Sequence, residues 1–296
     1  MNSDVAAVVV TYNRLEYLKI VIGSLKSQDH PLSEIIVVNN GSTDGTYEWL
    51  QDQKGLKIIN QENTGGAGGF HSGMKYAYSM NCSWIWIMDD DVRPENDCLS
   101  ILLKGHDENT IRSPLRFSSD GTAYKNDTLR YNFTNPFSGI WDSIVDDRFF
   151  EKDHFECEGP TFEGALFHRN IIRKIGLPEK KFFIYADDTE YFIRAKRAGA
   201  KIIVNTNAKM HRMIDPPYPS DKFSWKHYYI IRNTMILDLI YGNFPVKMLR
   251  PFEYLMKWLT RAKNSEDRKT VLRAFKDAYQ FKMSEDTLPA KENTER

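Results

Sequence analysis

Three consecutive carboxylates, Asp89, Asp90 and Asp91, directly follow the apolar run at 84–88. Anions at the end of a buried strand repel one another and resist desolvation, so they need a strong local cation. Carboxylate oxygens suit Mg²⁺ or Mn²⁺, which often bind through one or two carboxylates while substrate phosphates and water fill the remaining positions. The run predicts a divalent-metal site for a diphosphate-bearing substrate; the alternative is an acidic turn after a strand.

A second acidic cluster, which contains Asp187, Asp188 and Glu190, stands at the start of a predicted helix. Acids in the first turn of a helix can act simply as a cap that complements the helix dipole. Alternatively, one of these carboxylates is a general base that takes a proton from an attacking hydroxyl. His211 follows a later predicted strand and could complete a metal shell, although a lone histidine is more often structural.

Polar residues also close the first three predicted strands. The first strand ends in Thr11, Tyr12, Asn13 and Arg14, and the loop after the second contains Asn40 and Asp44. Such groups can hydrogen-bond a base and a ribose, or can serve only as turn and capping residues. After the third strand, Asn63, Gly65 and Gly66 begin a glycine-rich loop whose backbone amides could approach an anion, although it lacks the pattern of a Walker loop.

The pattern of apolar residues alternates between strand and helix over the first hundred residues. Short β-branched runs predict strands, and spacings of three and four predict helices. The predicted strands are 5–11, 34–39, 57–60 and 84–88, and the predicted helices are 15–27, 43–53 and 71–80. This order predicts an α/β fold with a doubly wound, mostly parallel, Rossmann-like sheet that gathers its ligands at the carboxyl ends of the strands.

The pattern changes in the rest of the chain. Residues 113–160 predict hairpins and variable loops, and residues 213–221, with three prolines, predict a mobile loop. We also expect strands at 161–168 and 201–205 and helices at 170–175 and 189–198. The predicted organisation is a catalytic domain at 1–222, a C-terminal helical region at 223–285 and a polar tail at 286–296.

Composition narrows the class of protein. The 296 residues contain 40 Lys+Arg and 40 Asp+Glu, so net charge gives no argument for binding nucleic acid. The three cysteines, Cys82, Cys98 and Cys157, support neither a disulfide framework nor a zinc cage, which fits a reducing cytosol. The sequence shows no secretory signal and no apolar stretch of roughly 18 to 20 residues, so we expect a cytoplasmic protein.

Read together, these motifs resemble the inverting family 2 glycosyltransferases of the GT-A fold. The resemblance spans about residues 4–235 and rests on the order and spacing of the first-strand loop, the loop at 40–44, the glycine loop, the acidic clusters and His211. The Asp triplet, the Asp-Asp-x-Glu helix start and the helix containing Tyr228 and Arg232 resemble bacterial galactofuranosyltransferases and rhamnosyltransferases.

The resemblance implies a role for each motif. Asp188 would be the catalytic base, with Asp187 as the second candidate. Asp89 and Asp91 would bind Mn²⁺ or Mg²⁺ with His211, while Glu190, Tyr228 and Arg232 would contact the acceptor or a diphosphate. The nucleotide-sugar site would comprise Thr11, Tyr12, Asn13, Arg14, Asn40, Asp44, Asn63, Gly65, Gly66, Asp89 and Asp90. At position 40 the family commonly has Asp.

The implied activity is transfer of a sugar from a nucleoside diphosphate to a hydroxyl of a bacterial surface-glycan or polyprenyl-diphosphate-linked acceptor. UDP-galactofuranose is the preferred donor, and the alternatives are dTDP-rhamnose or a non-catalytic carbohydrate-binding homologue. A sugar nucleotidyltransferase would instead have a glycine-rich, arginine-containing loop after the first strand.

The segment at 244–282 interleaves cations with apolar side chains. This pattern is typical of helices that bind anionic lipid surfaces, so we expect peripheral attachment to the cytoplasmic face of the inner membrane. The same apolar surface could instead form core or an oligomer contact.

Overall fold

The computed structural model describes residues 4–105, 107–125, 127–215 and 223–287. Most of the predicted loop at 213–221 and of the predicted tail at 286–296 lies outside the described residues. The strands are β1 (Val5–Thr11), β2 (Glu34–Asn39), β3 (Lys57–Asn60), β4 (Trp84–Asp89), β5 (Val92–Pro94), β6 (Thr110–Phe117), β7 (Thr128–Tyr131), β8 (Trp141–Ile144), β9 (His154–Glu156), β10 (Ala165–His168) and β11 (Lys201–Arg212). The helices are α1 (Leu15–Lys26), α2 (Thr46–Gln51), α3 (Gly65–Ser79), α4 (Cys98–Leu103), α5 (Arg169–Ile175), α6 (Asp187–Arg197), α7 (Trp225–Tyr241), α8 (Phe244–Arg261) and α9 (Ser265–Tyr279).

The central sheet has the order β3-β2-β1-β4-β10-β6-β11-β5, with β9 paired to β11. The first four strands pair in parallel, as do β6 and β11, whereas β10 runs antiparallel to both of its neighbours. The predicted α/β fold with a mostly parallel sheet is therefore confirmed. Because Val10 pairs with Asp89, and Thr11 with Asn39, the loops after β1, β2 and β4 meet at one edge.

Both faces of this sheet are covered, which explains why its strands are nearly continuous apolar runs. Val5, Ala7 and Val9 pack on the side of α1 and α4, while Val8 and Val10 pack on the opposite side with α3. Helix α3 begins at Gly65 rather than at the predicted residue 71. Its glycines disfavour a helix by intrinsic propensity, but a Cβ on Gly69 or Gly73 would lie less than 2.5 Å from Val10 or Val8 of β1, so close packing requires glycine at these two positions.

The region at 113–160 differs from its prediction. It contributes most of β6, which lies between β10 and β11 inside the sheet, and β9, which pairs with β11. Strands β7 and β8 form a predicted type of hairpin, and an antiparallel bridge joins Phe117 to Ala123. Strand β11 continues to Arg212 across an irregularity between Asn205 and Lys209, so it is longer than the predicted strand at 201–205. A bulge of this kind interrupts the alternation on which a sequence prediction depends.

Helices α7, α8 and α9 pack together as a C-terminal helical extension, as predicted. A buried ion pair joins Arg250 of α8 to Asp238 of α7 at 2.6 Å. The Tyr228 hydroxyl of α7 donates a hydrogen bond to Asp277 of α9 at 2.6 Å. No described helix is both long enough and apolar enough to cross a lipid bilayer.

Candidate active site

A cavity of about 610 Å³, named here the loop cavity, opens where the loops after β1 to β4 meet. Residues predicted to bind a nucleotide sugar form most of its wall: Thr11, Tyr12, Arg14, Asn40, Asn63, Gly65, Gly66, Asp89 and Asp90. Phe183, Ile184, Trp225 and Lys226 complete the wall from the second half of the chain.

Asp90 anchors the loop after β1. Its buried carboxylate accepts hydrogen bonds from the Thr11 hydroxyl at 2.7 Å, the Tyr12 backbone N–H at 3.3 Å and the Arg14 guanidinium at 3.1 Å. The guanidinium also pairs with Asp91. These bonds satisfy a buried charge and fix the backbone that surrounds the cavity.

Asn40 fastens the glycine loop. Its amide nitrogen donates to the Gly65 carbonyl at 2.9 Å, and its amide oxygen accepts from the Thr64 backbone N–H at 3.2 Å and from Gln61 at 2.9 Å. A carboxylate could accept these bonds but could not donate to the Gly65 carbonyl. This requirement explains an amide at position 40, where the family commonly carries Asp.

Asn13 and Asp44 do not line the loop cavity. The Asn13 side-chain oxygen accepts from the Thr43 backbone N–H at 2.7 Å. Asp44 accepts from the Leu15 backbone N–H at 3.0 Å and from the Thr46 hydroxyl at 2.6 Å. Both side chains therefore tie the loops after β1 and β2 together, which is the turn and capping role considered as the alternative.

The glycines after β3 serve two purposes. A Cβ on Gly65, whose φ is +74°, would lie 1.9 Å from the Phe183 carbonyl oxygen, and one on Gly69 would lie 2.4 Å from Val10 Cγ1. These residues permit close packing of backbone and helix. Gly66 has no heavy atom within 4 Å of a built Cβ and borders the cavity, so it alone of the three leaves room for a ligand.

A second cavity of about 340 Å³, the acidic cavity, adjoins the first and shares Arg14, Gly66, Asp89, Ile184 and Lys226 with it. Its wall carries two acids from each predicted acidic cluster together with two acids that were not predicted, Glu163 and Asp215; the predicted ones are Asp89, Asp91, Asp187 and Asp188. The fold thus brings carboxylates from β4 and α6, nearly a hundred residues apart, to one space.

The ionisation of these acids reflects their enclosure. Burial raises the pKa of Asp91 to about 6, with the charges of Asp90 and Glu163 adding to the effect and Arg14 opposing it. Burial and repulsion by Asp188 raise the pKa of Asp187 to about 8. Burial also raises the pKa of Asp188 to about 6, against hydrogen bonds from Thr189.

Asp89 and Asp91 fit a divalent cation. Burial, followed by repulsion from Asp91 and Glu163, raises the pKa of Asp89 well above its usual value. A cation between the carboxylates of Asp89 and Asp91 would lower the free energy of their ionised forms. Two carboxylates are a typical protein contribution to a Mg²⁺ site that substrate phosphates complete. In the parts of the chain that the structure describes, no three His, Cys, Asp or Glu side chains form a metal-binding group.

His211 accordingly does not join Asp89 and Asp91. Its Nε2 lies 2.8 Å from Oε1 of Glu95, and its ring stacks on Phe117. Side chains alternate along a strand, and the next residue on β11, Arg212, pairs with Glu163 of the acidic cavity at 2.7 Å. The predicted three-residue metal shell is not assembled in this structure.

A strained turn precedes the acids of α6. Phe183, Tyr185 and Ala186 all have positive φ, between 63° and 73°. Such conformations cost on the order of 1 to 3 kcal/mol each and persist only where the surroundings hold them. The buried Asn233 side chain of α7 does so, because its amide nitrogen contacts the carbonyls of residues 182, 184 and 185 at 3.0, 2.9 and 2.7 Å.

The residues predicted to contact an acceptor or diphosphate have structural partners instead. Glu190 is buried, pairs with Arg194 at 2.7 Å and accepts from the Tyr241 hydroxyl. Tyr228 bonds to α9, and Arg232 donates to the Lys181 carbonyl at 2.6 Å. None of the three lines the loop cavity or the acidic cavity. Their contacts connect helices α6, α7 and α9 and the segment before the strained turn.

The sequence prediction missed four kinds of contribution: the acids Glu163 and Asp215, the turn at 183–186, Asn233 that holds this turn, and Trp225 with Lys226. Glu163 fell inside the predicted strand at 161–168, whereas β10 begins at Ala165, so the prediction did not place this acid at a strand end. Trp225 is 59% exposed, an unusual state for so large an apolar side chain, but exposure is not visible in the sequence.

Known proteins resemble this chain in sequence or in fold. Galactofuranosyltransferase GlfT1 of Mycolicibacterium smegmatis is 30% identical, and the match covers 66% of this chain and 66% of the relative, just under two thirds of its length. The dTDP-rhamnosyl transferase RfbF of Shigella flexneri is 24% identical, with 80% of each chain covered.

Among solved structures, GalNAc-T7 with UDP, GalNAc and Mn²⁺ is similar with a TM-score of 0.65 at 12% identity, covering 94% of this chain and 56% of that one. S. aureus TarS 1–349 in complex with UDP-GlcNAc is similar with a TM-score of 0.57 at 17% identity, covering 94% and 81%. These likenesses support the GT-A fold. The sequence model described as glycosyl transferase family 2 matches residues 6–176, more than half of the chain, so the chain belongs to that family.

Proposed function

We propose that this chain is a metal-dependent inverting glycosyltransferase. It moves a sugar from a nucleoside diphosphate to a hydroxyl of a glycan or a lipid-linked acceptor. The observation that carries the proposal is that Asp188 and the Asp89–Asp91 pair line one acidic cavity, which is continuous with the loop cavity. A base, a cation site and a space for a nucleotide are then contiguous, as this reaction needs.

Asp188 is the proposed general base. The acceptor oxygen attacks the anomeric carbon as its proton passes to the Asp188 carboxylate, and the bond from that carbon to the diphosphate breaks on the opposite face. A pKa of about 6 leaves Asp188 ionised at neutral pH while making it a stronger base than an exposed aspartate. Asp187 is the second candidate and ranks below Asp188, because a pKa of about 8 leaves it protonated at neutral pH.

Asp89 and Asp91 are the proposed protein ligands for Mn²⁺ or Mg²⁺. When bound, the cation would neutralise charge on the departing diphosphate. Arg14 already contacts Asp90 and Asp91, and its guanidinium can also bind a phosphate oxygen. Tyr12, 46% exposed at the cavity wall, offers a ring face to a nucleobase.

The proposed donor is UDP-galactofuranose, which the likeness to GlfT1 favours. The likeness to RfbF favours the second candidate, dTDP-rhamnose. A non-catalytic carbohydrate-binding homologue would have no need for enclosed carboxylates in the acidic cavity, since each is costly to keep there.

The proposed acceptor is a bacterial surface glycan or a polyprenyl-diphosphate-linked sugar, reached from the cytoplasmic face of the membrane. One side of α8 supports membrane contact, because five of its apolar side chains are about half exposed or more: Phe244, Met248, Leu249, Phe252 and Met256. The Phe252 ring continues onto Phe275 and Tyr279 of α9. We therefore propose residues 1–222 as the catalytic domain and residues 223–285 as the helical region that approaches the membrane.

A thermal-shift panel of UDP- and dTDP-sugars with Mn²⁺ tests the donor. A ligand at a hundred times its dissociation constant stabilises a protein by about 2.7 kcal/mol, so the true donor should raise the melting temperature clearly. Stabilisation by dTDP-rhamnose and not by UDP-galactofuranose would reverse the order of the two candidates.

The variant Asp188→Asn tests the base. Turnover should fall by about 10² to 10⁴, while the affinity for UDP stays within a factor of two or so. The exposed Asp52→Asn serves as the control for removal of a carboxylate. Loss of UDP binding with an unchanged rate of the chemical step would make Asp188 a binding residue and refute the proposed mechanism.

A further inference from the structure

A third cavity, of about 600 Å³, opens on the other side of Asp187 and Asp188. It shares Thr161, Glu163, Ile184, Asp187 and Asp188 with the acidic cavity, and it does not include Asp89 or Asp91. The rest of its wall is rich in aromatic residues, so it is named here the aromatic cavity: Tyr124, Tyr131, Trp141 and Tyr185.

We infer that the aromatic cavity binds the sugar unit that accepts the transferred glycosyl group, and that Trp141 and Tyr185 are its platform. The inference rests on the proposed function. In an inverting displacement the attacking hydroxyl and the departing diphosphate lie on opposite sides of the reacting carbon. If the diphosphate occupies the side of Asp89 and Asp91, the acceptor must reach Asp188 from the side of the aromatic cavity.

The platform has the chemistry of a carbohydrate site. Trp141 and Tyr185 are 37% and 39% exposed, and their ring centroids are 6.3 Å apart at an interplanar angle of 65°. Exposed aromatic faces pack on the C–H faces of a sugar, and nearby polar groups can bond its hydroxyls. A lipid chain would satisfy the rings but leave the carboxylates of Glu163, Asp187 and Asp188 without polar partners from the ligand.

The platform is also held in place. Tyr185 lies two residues before Asp187, and its carbonyl accepts a hydrogen bond from Asn233 at 2.7 Å, so ring and base belong to one fixed segment. Trp141 begins β8 of the hairpin. The hairpin therefore supplies one half of the acceptor site, and the turn before α6 supplies the other.

The test separates acceptor binding from donor chemistry. The wild type is first assayed with UDP-galactofuranose, dTDP-rhamnose and Mn²⁺ for donor hydrolysis without acceptor, and then for transfer to octyl β-D-galactofuranoside and octyl α-L-rhamnoside. Trp141→Ala should raise the acceptor KM about tenfold, with donor hydrolysis and melting temperature unchanged. Trp141→Phe, which keeps a ring face, should recover most of the loss.

The matched control is Phe137→Ala, which removes an aromatic ring that is 83% exposed from the connection between β7 and β8. It should leave the acceptor KM unchanged. An unchanged KM in Trp141→Ala, or an equal fall of hydrolysis and transfer, would overturn the inference. So would a wild type that hydrolyses a donor but responds to neither glycoside. Absence of hydrolysis with both donors would instead count against the proposed function.

Discussion

Two buried asparagines, one in each half of the chain, hold the loops that border the candidate site. Asn40 donates to the Gly65 carbonyl next to the loop cavity, and Asn233 donates to three carbonyls of the turn that precedes the acids of α6. The sequence predicted a site role for Asn40 and none for Asn233. Asn40 stands at a strand end of a parallel sheet, where sites are expected, whereas Asn233 reaches the site from within a helix.

The comparison shows how the halves differ. In the first half, strand order alone brings Thr11, Asn40 and Asp89 together at one edge. In the second half, the position of the turn at 183–186 depends on contacts with residues about fifty positions later in the chain. The first half can therefore be tested by substitutions within one loop. The second half can be tested by substitutions of Asn233, which contacts the turn from a distant part of the chain.

The largest effect is expected for Gly65→Ala, because the added Cβ would lie 1.9 Å from the Phe183 carbonyl oxygen at a residue with φ of +74°. The free energy of unfolding should fall by about 2 to 4 kcal/mol. The matched change Gly66→Ala meets no heavy atom within 4 Å and should alter folding little, while weakening UDP binding. Denaturant titration and calorimetry with UDP measure the two quantities. Equal destabilisation by both variants would contradict this packing role.

The next effect compares substitutions of the two buried asparagines, Asn233 and Asn40. Asn233→Asp removes three donated hydrogen bonds and sets a carboxylate against carbonyl oxygens, so it should destabilise by about 3 kcal/mol and lower kcat more than UDP affinity. Asn40→Asp loses the donation to Gly65 and should cost about 1 kcal/mol, mainly weakening UDP binding. The exposed Asn96→Asp is the control. If both variants changed kcat and UDP affinity in the same ratio, the division into two halves would fail.

The third effect concerns pH. Because the pKa of Asp187 is raised to about 8, the folded protein keeps a proton that the unfolded chain releases above about pH 4. The free energy of unfolding therefore falls as pH rises through this interval. Asp187→Asn removes that dependence. The melting temperature of the variant minus that of the wild type should therefore become more positive from about pH 5 to about pH 8, measured with a chelator present. A pH-independent difference would show that Asp187 ionises normally.

Much of the first half followed from the sequence because its signals are local. Strands β1, β2 and β3 match their predicted bounds, since short β-branched runs between turn residues have few alternative structures. The start of α3 was missed because intrinsic propensity disfavours the glycines that its packing demands. Asn13 and Asp44 were predicted as ligand contacts, but their side chains are engaged in loop cross-links.

The second half was predicted less well because its site depends on three-dimensional contacts. The family resemblance made Glu190 and Arg232 candidates, and in the structure Glu190 pairs with Arg194 and Arg232 donates to the Lys181 carbonyl. Beyond the irregularity in β11, Arg212 pairs with Glu163 of the acidic cavity, whereas His211 contacts Glu95. A sequence pattern that assumes regular alternation cannot indicate that orientation.

The β7–β8 hairpin has a further consequence for how this protein can diversify. Within the described residues its two strands pair with each other and share no ladder with the central sheet. An insertion or exchange in the hairpin can therefore change its shape without shifting the register that aligns Val10 with Asp89. If Trp141 of this hairpin contacts the acceptor as proposed, grafting hairpins from relatives onto this scaffold should change the acceptor preference and leave the donor site unaltered.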